Sequence, residues 1–262
     1  MATKLSITIV VYKKYDDVIN AISSLEKWTD DNIKKTVYIV DNGVDVANPI
    51  EREKFLEFIS SYNDVEYLEM PENVGFGKGH NYVIPKLDSE YHAILNPDVV
   101  FLEDVFGPVI NWMEQNQDVG MVIPKLVDDQ GNLQNVYRRD LTVFDLFVRC
   151  FKGRLFKKRY EKHVMCDMDY SKPFQVPFAQ GSFMVIRTSL FKQLKGFDER
   201  YFMYVEDTDL SREVNNVSKV MYFPYAKAIH KWERGSHRNF TLFKYHIRSI
   251  FQYFKKWGVK WF

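Results

Sequence analysis

The sequence predicts an α/β fold built on a mostly parallel central sheet, and three observations carry that prediction. Apolar runs of strand length recur early in the chain, at Leu5–Tyr12, Thr36–Val40, Val65–Glu69 and Tyr91–Leu95. Segments of helical length separate them, as in a succession of β-α units whose helices cover both faces of a parallel sheet. Polar clusters rich in Asp, Asn and Gly follow the strands, and open α/β sheets bind their ligands at the carboxyl ends of the strands.

The first run, Leu5 to Tyr12, reads as a buried strand. Asp16 and Asp17 then cap a helix with Val18, Ile22 and Leu25 on one face. Thr36–Val40 forms the second strand, residues 51–61 a helix, Val65–Glu69 the third strand, Gly79–Leu87 a helix and Tyr91–Leu95 the fourth strand. From about residue 124 the pattern changes. Asp128-Asp129-Gln130-Gly131-Asn132 signals a turn, and Val143–Phe156 reads as an amphipathic helix with Phe144, Phe147, Val148, Phe151 and Leu155 in one stripe. A basic stretch, Arg149 to Lys162, holds seven Lys or Arg against one Glu. Phe183–Arg187 resumes strand character, Glu206–Val214 is helical, and Ser218–Phe223 is a further strand.

With 262 residues, 46% of them hydrophobic, the chain can bury the core of one large domain. Its net charge of +1 gives no global reason to expect a nucleic-acid partner. The charge is uneven: residues 240–262 hold five Lys or Arg and no acid, which leaves −4 on the remainder. No apolar run approaches the roughly 18 residues that span a bilayer, and Leu5–Tyr12 lacks a signal peptide's length and cleavage site, so a cytoplasmic protein is expected. Cys150 and Cys166 show neither metal-site spacing nor a disulfide framework and read as reduced, structural thiols.

Four segments place polar groups at the expected ligand edge: Val40-Asp41-Asn42-Gly43, Asn73 to Asn81, Leu95-Asn96-Pro97-Asp98-Val99 and Tyr204 to Leu210. Gly75, Gly77 and Gly79 precede a helix, where backbone N–H groups can approach phosphate oxygens; an ordinary strand-to-helix turn is the alternative. Their spacing is not the dinucleotide fingerprint, which needs a glycine where His80 stands, and no P-loop occurs. Asp98, just after a strand, can bridge a hard divalent cation to a diphosphate, or simply cap a turn. Glu206, Asp207 and Asp209 lie at a helix start, where the helix dipole alone accounts for acids. His92 reads as a packed histidine within a strand, while His80 borders the glycine segment.

Taken together these segments resemble glycosyltransferase family 2, a family with the GT-A fold, and within it the rhamnosyltransferase-like members. The resemblance rests on Ile7 to Tyr12, Val40 to Gly43, Asn73 to Asn81, Asn96-Pro97-Asp98, Gly196-Phe197-Asp198-Glu199, Glu206 to Leu210 and His230 to Arg238, in that order over about residues 4–250. It implies a nucleotide-sugar site of Val10, Tyr12, Asp41, Gly75, Gly77, Lys78, Asn81, Asn96 and Asp98, with Asp41 meeting the imide N–H of the base. It implies Asp98 and His230 as ligands of Mg²⁺ or Mn²⁺ and Asp207 as general base. Glu206, Lys231, Arg234, His237 and Arg238 are then candidate contacts to the diphosphate or acceptor. Asn96 departs from the family pattern, since many relatives carry an acid there.

On this reading residues 1–239 are the GT-A catalytic domain, with a nucleotide-sugar-binding half to about 123 and an acceptor or catalytic half over 124–239. Residues 240–262 form an aromatic and basic C-terminal helix. The implied reaction is an inverting transfer, with L-rhamnose from dTDP-rhamnose as the favoured donor and a saccharide or polyprenyl-linked saccharide as acceptor. In the tail Phe243, Ile247, Ile250, Phe251 and Phe254 form an apolar stripe beside basic side chains, suited to anionic lipid at the inner face of the cell membrane, with core packing or a homodimer as the alternative. A noncatalytic nucleotide-sugar or saccharide-binding protein on the same fold is the rival function, and a bound donor that is never turned over would favour it.

Overall fold

A computed structural model describes residues 3–150, 155–231 and 240–262. Its main sheet has nine strands. In chain order they are β1 (Leu5–Val11), β2 (Lys35–Asp41), β3 (Val65–Glu69), β4 (Tyr91–Leu95), β5 (Val99–Phe101), β6 (Val119–Val127), β8 (Phe174–Gln175), β10 (Phe183–Arg187) and β11 (Lys219–His230), while β7 (Tyr137–Arg138) and β9 (Phe178–Ala179) pair separately. The order across the sheet is β3-β2-β1-β4-β10-β6-β11-β5, with β8 on β11.

The pairing directions fix where a ligand can bind. β1 is parallel to β2 and β4, and β2 to β3. β10 is antiparallel to both β4 and β6, so β6 runs with β4, and β11 runs parallel to β6. The sheet is thus mostly parallel. Val11, Asp41, Leu95 and His230 end their strands on the same edge, which Phe183 also reaches because it begins the reversed β10.

The helices follow from amphipathic patterning. α1 (Tyr15–Trp28) buries Val18, Ala21, Ile22 and Leu25 at three- and four-residue spacing. It starts one residue before Asp16 and Asp17, so these acids lie in its first turn and favour the dipole there, while Lys14 occupies the capping position. α2 (Pro49–Ile59) is capped by Asn48, whose side chain accepts from the Ile50 N–H at 3.0 Å. The expected 79–87 helix is instead a short α3 (Phe76–Asn81) followed by a 3-10 turn at Ile84–Lys86, because Pro85 has no N–H to continue an α-helix. α4 (Phe106–Gln115) covers β6.

The amphipathic segment predicted over 143–156 is α5 (Val143–Cys150), with α6 (Lys157–His163) beginning separately; Phe151 lies outside the described residues. Cys166 is exposed rather than packed as a structural thiol. α7 (Thr188–Gln193) and α8 (Glu206–Val217) follow, and α9 (Phe240–Trp257) forms the tail. Tyr253 of α9 is buried with Leu141, Tyr201 and Val205 in a small apolar cluster beside the main core.

Candidate active site

Asp41 ends β2 with no exposed surface. Its Oδ2 accepts hydrogen bonds from Tyr15 at 2.7 Å and Tyr67 at 2.6 Å, and its Oδ1 accepts from the Gly43 N–H at 3.0 Å. Burial followed by these bonds to the carboxylate holds both phenols well above their ordinary pKa. Tyr12, one residue beyond β1, is exposed at this edge, while Val10 packs under α3.

Asn42 clasps the glycine segment. Its Oδ1 accepts from Val74 N–H at 2.9 Å, and its amide donates to Asn73 Oδ1 at 2.9 Å and to the Gly75 carbonyl at 3.1 Å. The glycines have a packing reason of their own. A Cβ on Gly75, whose φ is +89°, would strike the Phe202 carbonyl; one on Gly77 would lie 2.8 Å from Phe197 Cβ, and one on Gly79 3.0 Å from Val10 Cγ1. Asn81 ties α3 to the next motif, accepting from Phe197 N–H at 2.8 Å and donating to the Phe197 carbonyl at 2.7 Å. Lys78 is exposed. His80 is fully buried against Phe76 and Phe197, neither ring nitrogen has a hydrogen-bond partner, and burial drives its pKa far down, so it stays neutral. His92 is likewise a core residue, bonded to Ser6 at 2.8 Å and stacked on Phe191, with burial lowering its pKa to about 3.

Asp98 and His230 meet across the strand pair in which Val99 of β5 sits opposite His230 of β11. His230 Nε2 lies 3.4 Å from Asp98 Oδ1. On the other side of the ring, Nδ1 is 2.7 Å from Gln134 Oε1, and the Gln134 amide donates to the His230 carbonyl at 2.7 Å. With the amide oxygen facing it, Nδ1 must be the protonated nitrogen. Nε2 then faces a carboxylate oxygen that is buried and has no hydrogen-bond partner, an arrangement that a cation held between the two would satisfy. Two protein ligands fit a divalent ion that takes its other ligands from phosphate oxygens and water. No cluster of three metal-ligating side chains occurs among the described residues. Lys231 is exposed and its N–H donates to the Asp98 carbonyl at 3.0 Å; Arg234, His237 and Arg238 lie outside the described residues.

Asp207 reaches the same region through two residues that lead into β10. The Gly181 N–H donates to Asp207 Oδ2 at 2.9 Å, and the next carbonyl, that of Ser182, accepts from Asn96 N–H at 2.8 Å. Thr208 N–H fixes Asp207 Oδ1 at 2.7 Å. Glu206 is buried with Oε2 lacking a partner. Burial first, and then the Asp207 charge, raises the Glu206 pKa to about 8; burial raises Asp207 as well, against the hydrogen bonds from Gly181 and Thr208. Asp207 is thus both held in place by two N–H groups and raised by burial.

Tyr204 and Val205 precede these acids with φ of +69° and +72°, a strained geometry for a β-branched residue. α9 holds that turn. Ser249 donates to the Met203 carbonyl at 2.9 Å, Tyr245 packs on Phe202 and His246 on Tyr204. Asp209 is tied to the same helix by Lys256 at 2.7 Å and the Trp257 indole at 2.6 Å, while Lys256 also pairs with Asp198 and Glu213.

Comparison with known proteins decides the family. The sequence model described as glycosyl transferase family 2 matches residues 6–195. The chain belongs to that family. This glycosyltransferase is 30% identical over 188 residues to rhamnosyltransferase WbbL of Escherichia coli K12, spanning 68% of the chain and 69% of WbbL. It is 24% identical over 244 residues to the N-acetylglucosaminyl-diphospho-decaprenol L-rhamnosyltransferase of Mycobacterium tuberculosis, spanning 88% and 76%. Its GT-A fold is shared with GalNAc-T7, solved with UDP, GalNAc and Mn²⁺, at a TM-score of 0.68 and 16% identity, covering 97% of the chain and 50% of that structure. It is shared also with the mannosyltransferase PcManGT of Pyrobaculum calidifontis, solved with GDP-Man and Mn²⁺, at 0.64 and 15%, covering 97% and 63%.

The sequence did not single out four parts of this glycosyltransferase's site: Gln134, the Gly181-Ser182 link, Arg138 and the α9 clamp. Arg138 is held down to about 10 by burial and by Arg149, while Asp207 acts on it in the opposite sense. A Gly-Ser pair before a strand was the one local signal among them; the rest arise only when distant segments meet.

Proposed function

We propose that this glycosyltransferase catalyses an inverting, single-displacement transfer of L-rhamnose from dTDP-rhamnose to a saccharide carried on a polyprenyl diphosphate. The observation that carries the reading is the Gly181-Ser182 link, which ties Asp207 and the Asn96–Asp98 segment to adjacent residues. Asp207 takes the proton of the acceptor hydroxyl as that oxygen attacks the anomeric carbon from the face opposite the nucleotide, so configuration inverts. Its Oδ2, fixed by one N–H, keeps a lone pair for this proton. At the other end Asp98 and His230 would hold Mg²⁺ or Mn²⁺, which when bound would neutralise charge developing on the departing diphosphate. Lys78 and Lys231, both exposed, are the described cations nearest in sequence to the two phosphate-facing segments. Tyr12 flanks the base, and Asp41 Oδ1 keeps one lone pair for an imide N–H.

The sugar and acceptor classes draw on the rhamnosyltransferase relatives, one of which is named for a decaprenyl diphosphate substrate. Mn²⁺ in the structures of GalNAc-T7 and PcManGT supports the choice of ion. The experiment is to incubate the protein with dTDP-rhamnose and a lipid-linked amino-sugar acceptor, following release of dTDP and the stereochemistry of the product. Asp207→Asn should bind dTDP-rhamnose with near-normal affinity and lose two to four orders of magnitude in turnover, on the order expected for a lost general base. Turnover by Asp207→Asn within a few-fold of the parent would remove Asp207 from that role.

A further inference from the structure

The tail helix α9 has two unlike faces. Inward it presents Ser249, Tyr253, Lys256 and Trp257, all engaged with the catalytic body. Outward, Phe240, Phe243, Ile247 and Phe251 are spaced by three, four and four residues, so they form one stripe, and each is between 38% and 71% exposed. Together with Lys244, Arg248 and Gln252 they line an open groove of about 510 Å³. Exposure of several large apolar side chains in one stripe marks an interaction surface rather than ordinary scatter.

The charges identify the occupant. Lys244, Arg248 and Lys255 follow one another at intervals of four and seven residues, so a row of cations borders the apolar stripe, and none of them forms an ion pair among the described residues. The other two cations of the tail are consumed internally: Lys256 by Asp198, Asp209 and Glu213, and Lys260 by Asp140. No acid occurs from 240 to 262. A second copy docking on this face would set like-charged rows together, whereas an anionic lipid surface offers hydrocarbon for the stripe and headgroups for the row. No described helix is long and apolar enough to cross a membrane.

We infer that the outward face of α9 is a docking surface for an anionic bilayer, with Phe240, Phe243, Ile247 and Phe251 entering the acyl boundary and Lys244, Arg248 and Lys255 meeting phosphate headgroups. The inference stands on the surface of the tail alone, and its failure would leave the transfer reading intact. Each such cation strengthens binding about fivefold at modest salt, and the three together on the order of a hundredfold. The full chain should therefore co-sediment with phosphatidylcholine vesicles containing phosphatidylglycerol, bind pure phosphatidylcholine far more weakly, and be released by high salt. Two variants separate the contributions: Lys244→Gln with Arg248→Gln and Lys255→Gln should lose about a hundredfold on anionic vesicles, and Phe243→Ser with Phe251→Ser should lose binding to both. Because these side chains project from the body, circular dichroism and melting temperature should match the parent for each. Equal binding of parent and variants, or no binding by the parent, would overturn the inference. So would a dimer of the parent that Phe243→Ser with Phe251→Ser converts to monomer, which would assign the stripe to a second copy.

Discussion

Glu206 and Asp207 show how adjacent carboxyl groups are driven apart in role by their surroundings. Asp207 has three hydrogen bonds to its oxygens, from Gly181 N–H, Thr208 N–H and the Thr208 hydroxyl, all of which favour the ionised form. Glu206 is buried with Oε2 unpartnered, and burial first, then the neighbouring Asp207 charge, push its pKa up to about 8. The consequence for stability has a definite sign. A carboxyl raised in the folded protein stabilises it below the unfolded value near 4.5, and that contribution disappears as pH rises from there through about 8. Glu206→Gln, which copies the protonated form, should therefore flatten the fall of melting temperature between pH 4.5 and about pH 8 while leaving the low-pH melting temperature near that of the parent. Parallel melting curves for the two proteins across that range would show that Glu206 ionises as freely as it does in the unfolded chain.

Short elements owe their sequence to packing as much as to ligand contact, and α3 is the clearest case. The glycines of Gly75 to Gly79 were legible as a strand-to-helix segment, and their residue type alone left open whether phosphate or protein needed the space. Phe202, Phe197 and Val10 now occupy that space. Gly77→Ala should accordingly destabilise by about 1–3 kcal/mol through overpacking against Phe197, which is a fall of roughly 3–9 °C in a chain of this size. Once folded, the variant should bind nucleotide sugar nearly as the parent does. A variant that melts like the parent and loses nucleotide binding would instead place the glycine against the ligand. The same element explains a boundary the sequence misplaced: periodicity runs on to Leu87, but Pro85 halts the α-helical hydrogen bonds and the end of the segment closes as a 3-10 turn.

At the scale of the whole molecule, what the sequence revealed divides by sequence separation. The four early strands and the polar segments after them were legible because each β-α unit carries its own period and turn residues. The antiparallel placement of β10, whose span was itself legible, the His230–Gln134 pair and the clamp of α9 on the Asp198–Asp209 region were not, because their partners are tens of residues away and no local period encodes them. The tail is the largest such case: of the stripe read from the sequence, Phe243, Ile247 and Phe251 do face outward, but Ile250 and Phe254 pack inward beside Tyr253, Lys256 and Lys260 are paired within the molecule, and the inward face pins a strained turn. Tyr204 and Val205 persist at positive φ against a penalty of about 1–3 kcal/mol each, and the contacts of Tyr245, His246, Ser249, Lys256 and Trp257 are available to offset it. Deleting residues 240–262 should therefore release the turn without unfolding the distant β1, β2 and β4. Hydrogen exchange reads the two regions in one experiment: amides of residues 198–209 should lose protection, and those of the three parallel strands should keep theirs. The deletion should also abolish dTDP release from dTDP-rhamnose in the absence of any membrane, since the start of α8 would no longer hold Asp207 against Gly181. Unchanged protection at 198–209 would mean that α8 and the sheet hold the turn unaided, leaving α9 with the membrane surface as its remaining task.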